Sequence, residues 1–285
     1  MRESFWKSVG FLVEDIVQFF YQRKWPDGFR CPRCGHSIAY TIHSEKRSLP
    51  LYQCQACKHQ TTLTAGTALE RSRTPLEKWA VAIQAMSRDE SINAVQLMGI
   101  IAVTYKTAWS MLRKLRQCIN QWDAAQPLVG RLAAGAATYG TPAFRTCLRY
   151  PHERPVIVGI SYDRTGNPIY TKMKPGDAEL LRNASKRRHW ENEFVRNHVR
   201  SEFPVQILPR IPFHKNEDLR SAYYSATSWI HRTFRGISSR YLELYFDEYC
   251  FRINMRLHGQ NPIEVLLSAC MQTSSHTSIR MAAAA

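Results

Sequence analysis

The sequence predicts a multidomain protein of the α+β class, and three observations support this prediction. Four cysteines lie in two close pairs between residues 31 and 57. Apolar residues then recur with the 3.6-residue period of amphipathic helices between residues 74 and 119. Further on, two extended runs joined by a turn predict a strand hairpin between residues 156 and 174. A chain of 285 residues can hold two or three such units.

The composition indicates a folded and strongly basic protein. Hydrophobic residues make up 44% of the chain and aromatic residues 11%, which argues against wholesale disorder. Lys and Arg number 39 against 23 Asp and Glu, so the net charge is +16 and the isoelectric point is near 9.7. This surplus predicts a polyanionic partner, and an anionic membrane surface is the alternative to nucleic acid.

The first predicted element is an amphipathic helix within residues 1–26. Apolar side chains recur at helical spacing between Phe5 and Phe20. However, Glu14 and Asp15 interrupt the run and no small-residue cleavage site follows it. We therefore expect this helix to pack on the body of the protein, with no membrane as partner and a cytoplasmic location.

The paired cysteines predict a metal site. Nineteen residues separate the two Cys-x-x-Cys pairs, and runs at 40–42 and 51–53 lead away from and back to them as hairpin strands would. Such pairs can bring four thiolates into the tetrahedron that a structural Zn²⁺ ion prefers. The predicted zinc ligands are Cys31, Cys34, Cys54 and Cys57. Two disulfides or two redox-active pairs are the alternatives, which the lack of a secretory segment disfavours.

Three helices are predicted in the next segment. Thr74 and Glu77 have the spacing of a capping box, with Pro75 at the first helical position. Ser91 is predicted to cap a short second helix. The third begins at Thr104 and is long and basic.

This order of helices fits a helix-turn-helix whose last helix enters the major groove of DNA. An ordinary helical bundle with a solvated basic face is the alternative. The residues expected to contact bases or phosphates are Thr104, Tyr105, Lys106, Arg113 and Lys114.

The second half of the chain predicts an α/β domain. Residues 123–150 are rich in Ala and Gly and predict a linker that leads into a strand; the hairpin follows. A polar helix is predicted at 178–199. Its central run from Lys186 to Trp190 is either a solvated face or a contact with the backbone of nucleic acid. A strand near 205–208 and two helices, near 222–234 and 241–255, complete the prediction.

Two blocks of this sequence resemble bacterial insertion-sequence transposases. The first block combines the cysteine pairs with residues 63–67, 74–79 and 103–109, and the second runs from 236 to 256. The family has an N-terminal transposase zinc ribbon, a helix-turn-helix and an RNase H-like DDE domain. The resemblance therefore implies an RNase H-like fold after the helix-turn-helix, DNA transposition as the activity, and double-stranded DNA with terminal inverted repeats as the partner.

The sequence departs from that family at the catalytic acids. The family's first Asp precedes a Tyr-Gly, but here Gly135 and Ala136 precede Tyr139. Its second Asp follows a strand, but residues 205–212 contain no acid, and the third acid is ambiguous in the stretch before Trp229. The family's helix-turn-helix usually has Gly where this chain has Ala102.

These departures predict that strand-transfer chemistry is lost. Two-metal strand transfer needs carboxylates to hold two divalent ions, and neither Gly nor Ala can replace them. Mg²⁺ is therefore expected only if the protein is an active enzyme. The remaining candidate acids are Asp163, Asp247 and Glu248.

The chain is therefore predicted to consist of six segments. They are an N-terminal helix (1–26), a zinc ribbon (27–66), a helix-turn-helix domain (67–122), a linker with a degenerate first strand (123–150), an RNase H-like remnant (151–272) and a tail (273–285).

The leading hypothesis is a transposase-like DNA-binding protein that recognises element ends without cutting them. We expect it to associate with the bacterial nucleoid. A second copy of the chain, in a homodimer, is also among its expected partners. An active Mg²⁺-dependent DDE transposase is one alternative, which specific nicking of element-end DNA would favour. A zinc-ribbon transcription regulator is the other, which a palindromic or promoter site would favour.

Overall fold

The computed structural model describes residues 16–45, 47–140, 153–200 and 205–272, apart from the side chains of residues 210 and 211. The described residues form two compact units. The first contains residues 16–118 and 262–272, and the second contains residues 119–261. Most of the predicted N-terminal helix, part of the predicted linker and the tail lie outside the described residues.

A small antiparallel sheet forms the zinc-ribbon part of the first unit. Its strands, in the order β1-β2-β3, are β1 (Ala39–Ile42), β2 (Leu51–Cys54) and β3 (Gln60–Thr62). Ala39 lies opposite Cys54 in the register, so the hairpin predicted around the cysteine pairs is confirmed.

The ribbon also has an apolar support that spacing alone does not reveal. Tyr52 on β2 contacts the rings of Trp25 and Phe29, with centroids 5.2 and 6.2 Å away, and all three side chains are buried. Metal binding is therefore not the whole source of order in this segment.

Five helices of the first unit are described. They are α1 (Ile16–Lys24), α2 (Leu76–Ser87), α3 (Ala94–Ile101), α4 (Tyr105–Ala124), whose last residues belong to the second unit, and α9 (Pro262–Gln272). Helix α9 was not among the predicted elements, and it contacts α1 and α2. None of the described helices is long and apolar enough to cross a membrane.

The starts of two helices correct the predictions. The capping box at Thr74 is wrong: α2 begins at Leu76 after an extended Pro75, without a side-chain cap, so Thr74 lies one position too early. Ser91 does not cap α3 either. Asn93 does, because its side chain accepts from the backbone N–H of Gln96 while the Gln96 side chain accepts from that of Asn93.

The second unit is built on a four-stranded sheet in the order β7-β6-β5-β9. The strands are β5 (Arg131–Tyr139), β6 (Arg154–Tyr162), β7 (Pro168–Pro175) and β9 (Ile207–Leu208); β4 (Leu128–Val129) and β8 (Val199–Arg200) pair separately. Strands β5, β6 and β7 pair antiparallel, whereas β9 runs parallel to β5. The hairpin predicted at 156–174 is thus confirmed as β6 and β7.

Helices cover both faces of this sheet. They are α5 (Ala184–His198), α6 (Arg210–Lys215), α7 (Glu217–Phe234) and α8 (Leu242–Leu257), with short 3-10 helices at Ala178–Leu181 and Ser239–Tyr241. Val158 on β6 belongs to the core under α7 and α8, and its neighbour Ile157 belongs to a second core with Phe194 of α5. Burial on both faces explains why β6 has a continuous apolar run rather than an alternating one. The predicted helix at 178–199 is interrupted, because Asn183 caps a new helix there.

Candidate metal centre and nucleic-acid interface

Each cysteine pair forms a turn with the same backbone hydrogen bonds. In the first turn, the N–H of Cys31 donates to the carbonyl of His36 and the N–H of Gly35 donates to that of Cys31, both at 2.9 Å. In the second, the N–H of Cys54 donates to His59 at 2.9 Å and the N–H of Lys58 donates to Cys54 at 3.1 Å. The two halves of the site are therefore near-equivalent loops.

The equivalence extends to a left-handed residue after each pair. Gly35 has φ of 76° and Lys58 has φ of 57°. Glycine adopts this conformation readily, whereas a residue with a Cβ does so at a cost. Lys58 therefore holds, after the second pair, the backbone position that Gly35 holds after the first.

The four sulfurs converge on one point. Cys31 Sγ lies 3.6 Å from Cys57 Sγ, and Cys34 Sγ lies 3.6 Å from Cys54 Sγ. All four sulfurs lie within 4.8 Å of one another. A tetrahedron with sulfurs 2.3 Å from a central zinc has an edge of about 3.8 Å, so the separations fit such an ion. These residues would hold Zn²⁺ in a closed structural site.

The local electrostatics favour a thiolate at Cys31. Burial of this sulfur opposes ionisation, but hydrogen bonds from the backbone N–H groups of Cys34 and Arg33, together with those from neighbouring thiols, lower the pKa of Cys31 to about 6. A thiolate, rather than a thiol, is the form that binds zinc.

Three of the five predicted DNA-contacting residues lie together at the start of α4. Thr104, Tyr105 and Lys106 are exposed, and the Thr104 hydroxyl accepts from the backbone N–H of Thr107 at 3.2 Å. The turn before α4 passes through Ala102 in a left-handed conformation with φ of 50°. This is the position where the resembled family usually has Gly, and the Lys78 ammonium donates to the Ala102 carbonyl at 3.0 Å.

Arg113 and Lys114 do not join this exposed group. The Lys114 ammonium donates to the carbonyl of Glu70 at 2.9 Å, and burial lowers the pKa of Lys114. The Arg113 guanidinium lies over the ring of Trp109, 5.7 Å from its centroid. Both side chains are half-buried and contact residues of their own unit.

Gly135 lies in the middle of β5, facing the apolar core. It is paired with Val158 of β6 on one side and with Leu208 of β9 on the other. A Cβ at position 135 would lie 2.8 Å from Cδ2 of Phe213 and 3.3 Å from Cβ of Leu208. Phe213 is fully buried, so an aromatic ring occupies the space beside Gly135.

The three candidate acids lie in separate environments. Asp163 shapes the turn between β6 and β7: Oδ1 accepts from the Thr165 hydroxyl and from the backbone N–H of Asn167, and these bonds lower the pKa of Asp163. Glu248 is fully buried and pairs with Arg252 at 2.8 Å. Within the described part of the chain, the four cysteines are the one group of three or more acids, histidines or cysteines close enough to share a metal ion.

Asp247 belongs to a charge cluster that the sequence analysis missed. Its Oδ1 lies 2.6 Å from the Lys174 ammonium, which also lies 3.3 Å from both Asp123 Oδ2 and Glu243 Oε1. Lys172, fully buried, pairs with Asp123 at 2.7 Å. Burial disfavours the Lys174 ammonium, but the three carboxylates outweigh this effect and raise its pKa. The alternating Thr-Lys-Met-Lys sequence of β7 gives no hint that both lysines point inwards.

The same cluster also shifts the pKa of His198 on α5. Burial, followed by the positive charges of Lys174 and Lys172, lowers the pKa of His198 to about 4. Its ring is therefore neutral at pH 7. The cluster is thus a set of internal ion pairs beside a neutral imidazole, rather than an open acidic site.

Comparisons with known proteins bear on the cysteine site. Residues 14–60 match the family described as "Transposase zinc-ribbon domain". A second similarity, 30% identical over 107 residues, is to "Uncharacterized protein in transposable element ISH50" of Halobacterium salinarum. That alignment covers 37% of this chain and about a third (34%) of the relative's length. No solved structure matches the chain.

Residues 14–60 are thus similar to a transposase zinc ribbon, and part of the chain is similar to a protein of a transposable element. That similarity and the convergence of the four sulfurs support a structural zinc ion in a ribbon of the transposase type.

Proposed function

We propose that this protein is an insertion-sequence transposase-like DNA-binding protein that recognises element ends and has lost DDE strand-transfer chemistry. One observation carries the proposal. Four sulfurs converge in a segment that matches the transposase zinc ribbon, and the same unit then presents Thr104, Tyr105 and Lys106 at the exposed start of a long helix.

The arrangement of α3 and α4 supports a helix-turn-helix. Only residues 102–104 separate the two helices, and the left-handed Ala102 turns the chain between them. In this motif the N-terminal residues of the second helix contact base edges in the major groove. The positive end of the helix dipole and the Lys106 ammonium are both attracted by the negative potential of DNA. We therefore assign the first contacts to Thr104, Tyr105 and Lys106, with Arg113 and Lys114 supporting the helix from within.

The order of strands supports an RNase H-like domain. In the resembled family, the first acid lies on the opening strand and the second follows a later strand. Here β5 and β9 are parallel neighbours, and Gly135 lies in register with Leu208. This pairing puts Gly135 beside the segment in which the resemblance implies the second acid, and a shared metal site would need such neighbours.

The residues at those positions support the loss of catalysis. Gly135 offers no ligand atom and residues 205–212 contain no acid. The Phe213 ring fills the space that a carboxylate at position 135 would need. Asp247 and Glu248 already pair with Lys174 and Arg252. Because Mg²⁺ requires free oxygen ligands, neither acid is well placed to hold it.

Terminal inverted repeats are the proposed DNA, and two copies of the protein, one at each repeat, are the proposed assembly. Inverted repeats present the same site twice in opposite orientation, so one copy of the protein can bind at each end. A location on the nucleoid follows from the same proposal.

The test is DNA binding by the zinc-loaded full chain. The probes are duplexes from the DNA that flanks the gene, compared with shuffled duplexes of equal length. We expect preferential binding of the flanking duplexes, weakened by Lys106→Ala with a salt slope smaller by about 1. Arg88→Ala, which removes an exposed charge at the end of α2, is the matched control and should leave binding unchanged.

Three outcomes would overturn the proposal. A preference for a palindromic promoter site over inverted repeats would indicate a transcription regulator. Specific nicking with Mg²⁺ that an Asp→Ala change abolishes would indicate an active transposase. Equal binding after rigorous removal of zinc would show that the ribbon does not take part.

A further inference from the structure

The outward face of α5 is strongly basic. Between Arg182 and Arg200 the chain has six Lys or Arg residues and two acids. His189 is 75% exposed and Arg196 69% exposed, and Arg188 is also exposed. This basic surface belongs to the second unit and is separate in sequence from the zinc ribbon and from α4.

Three polar residues form a row along this face. Arg188, Asn192 and Arg196 are four residues apart, so they lie one above the other on the helix surface. The row from Arg188 to Arg196 is about 12 Å long at 1.5 Å per residue. A row of this length spans several phosphates of a DNA strand, which are spaced about 3.4 Å apart along the helix axis.

The opposite face holds α5 in place. Phe194 is buried in the core with Leu128 and Ile157. Trp190 contacts the backbone near Gly176, where an added Cβ would lie 2.8 Å from the indole ring. Because the helix is anchored, its basic row is presented without a folding step on binding.

One acid beside the row, Glu193, binds the neighbouring cations weakly. Glu193 lies 3.3 Å from Arg196 and 3.9 Å from His189, and all three side chains are well exposed. Exposed pairs of this kind contribute about 0–1 kcal/mol, so exchanging them for phosphate contacts costs little.

We propose that the basic face of α5, carried by Arg188, Asn192 and Arg196, is a second DNA contact that binds the phosphate backbone of a duplex without reading its sequence. The inference rests on the proposed function in taking DNA as the polyanion. Duplex DNA is favoured over a single strand because the outward row has no Phe, Tyr or Trp on which an unpaired base could stack. An acidic protein is the competing partner that the test distinguishes.

The test compares Arg188→Gln/Arg196→Gln with a control that loses the same charge elsewhere. Arg164→Gln/Arg220→Gln removes two exposed arginines of the same unit, in the β6–β7 turn and on α7. Affinity for a flanking duplex and for a random duplex of equal length is measured over a series of salt concentrations with the full, zinc-loaded chain.

The expected result is specific to phosphate contacts. The slope of log K against log salt should fall by about 0.9 for each arginine that contacts a phosphate. Both duplexes should be weakened by the same factor, so that the ratio of their affinities stays constant. Arg188→Lys/Arg196→Lys should retain the slope, and it also guards against a folding defect.

An unchanged slope, or an equal fall in the control, would overturn the inference in favour of an acidic protein partner or a solvated face. Failure of the proposed function would look different. The wild-type chain would then bind both duplexes equally. The salt slope measured on the random duplex would still show whether the α5 face contacts DNA. A wild-type chain that binds no duplex at all would overturn both proposals.

Discussion

At the scale of single residues, the metal site repeats one turn with two different side chains. Gly35 and Lys58 take the same left-handed conformation and the same hydrogen-bonding role. Nothing lies within 4 Å of a Cβ built on Gly35, so the requirement there is one of backbone angles and not of space. The Lys58 ammonium lies 6.0 Å from the centroid of the Tyr40 ring. This cation–π contact offsets a small part of the cost of the left-handed backbone at Lys58.

Substitution at these two positions should therefore have unequal effects. Gly35→Ala should lower the free energy of unfolding of the zinc-bound protein by roughly 1–2 kcal/mol, because alanine is strained at this φ. Lys58→Gly should be near neutral, since relief of strain offsets the greater freedom of glycine in the unfolded chain. Denaturant unfolding in excess zinc measures both. Equal losses in the two variants would show that the Lys58 side chain matters more than its backbone.

At the scale of elements, two helix starts show that a capping motif can predict a helix and still misplace its first residue. Asn93-x-x-Gln96 has the spacing of a capping box and forms one, whereas Thr74-x-x-Glu77 has the same spacing and does not. The difference lies in Pro75, which stays extended with ψ of 150° and delays the helix to Leu76. A local motif therefore predicted a helix correctly but misplaced its first turn.

Removing the two residues separates the real cap from the apparent one. Asn93→Ala should cost about 1 kcal/mol of stability, because it leaves the N–H of Gln96 without its acceptor. Thr74→Ala should stay within about 0.5 kcal/mol of the wild type. Thermal and denaturant unfolding provide the measurement. A Thr74 variant as costly as the Asn93 variant would restore the capping box predicted at α2.

At the scale of the whole molecule, the charges divide into two populations. Most of the described Lys and Arg side chains lie outside the buried core, where they suit a polyanion. Lys172 and Lys174 instead lie inside the second unit, against Asp123 and Asp247. Asp123 comes from the end of α4, the lysines from β7 and Asp247 from α8, so this cluster ties three elements of the unit together.

Breaking the internal cluster should be costly. Lys174→Met should reduce the free energy of unfolding by roughly 3–5 kcal/mol, because it leaves Asp247 and Asp123 with less compensation in a buried setting. The exposed Lys215→Met serves as the control and should change stability by less than about 0.5 kcal/mol. The double change Lys174→Met/Asp247→Asn should recover part of the loss. A loss under about 1 kcal/mol for Lys174→Met would mean that the cluster contributes little.

Several parts of this architecture were predictable from short stretches of sequence. The spacing of the four cysteines indicated a shared metal ion, and the runs beside them indicated the strands that position it. The β6–β7 hairpin was equally clear, since two extended runs flank a turn that Asp163 and Gly166 favour. In contrast, the sequence predicts that Lys114 contacts DNA, and its contact with Glu70, 44 residues away, follows only from the tertiary structure.

The amino-acid sequence alone therefore determined the metal ligands, the hairpins and the basic character of the protein, because each follows from composition or from short motifs and their spacing. Folding alone decided which charges became internal and what surrounds Gly135. Lys174 and Asp247 are 73 residues apart, and Gly135 and Phe213 are 78 apart. Their contacts depend on how strands and helices pack, and packing brings together side chains whose separation along the chain carries no sign of it.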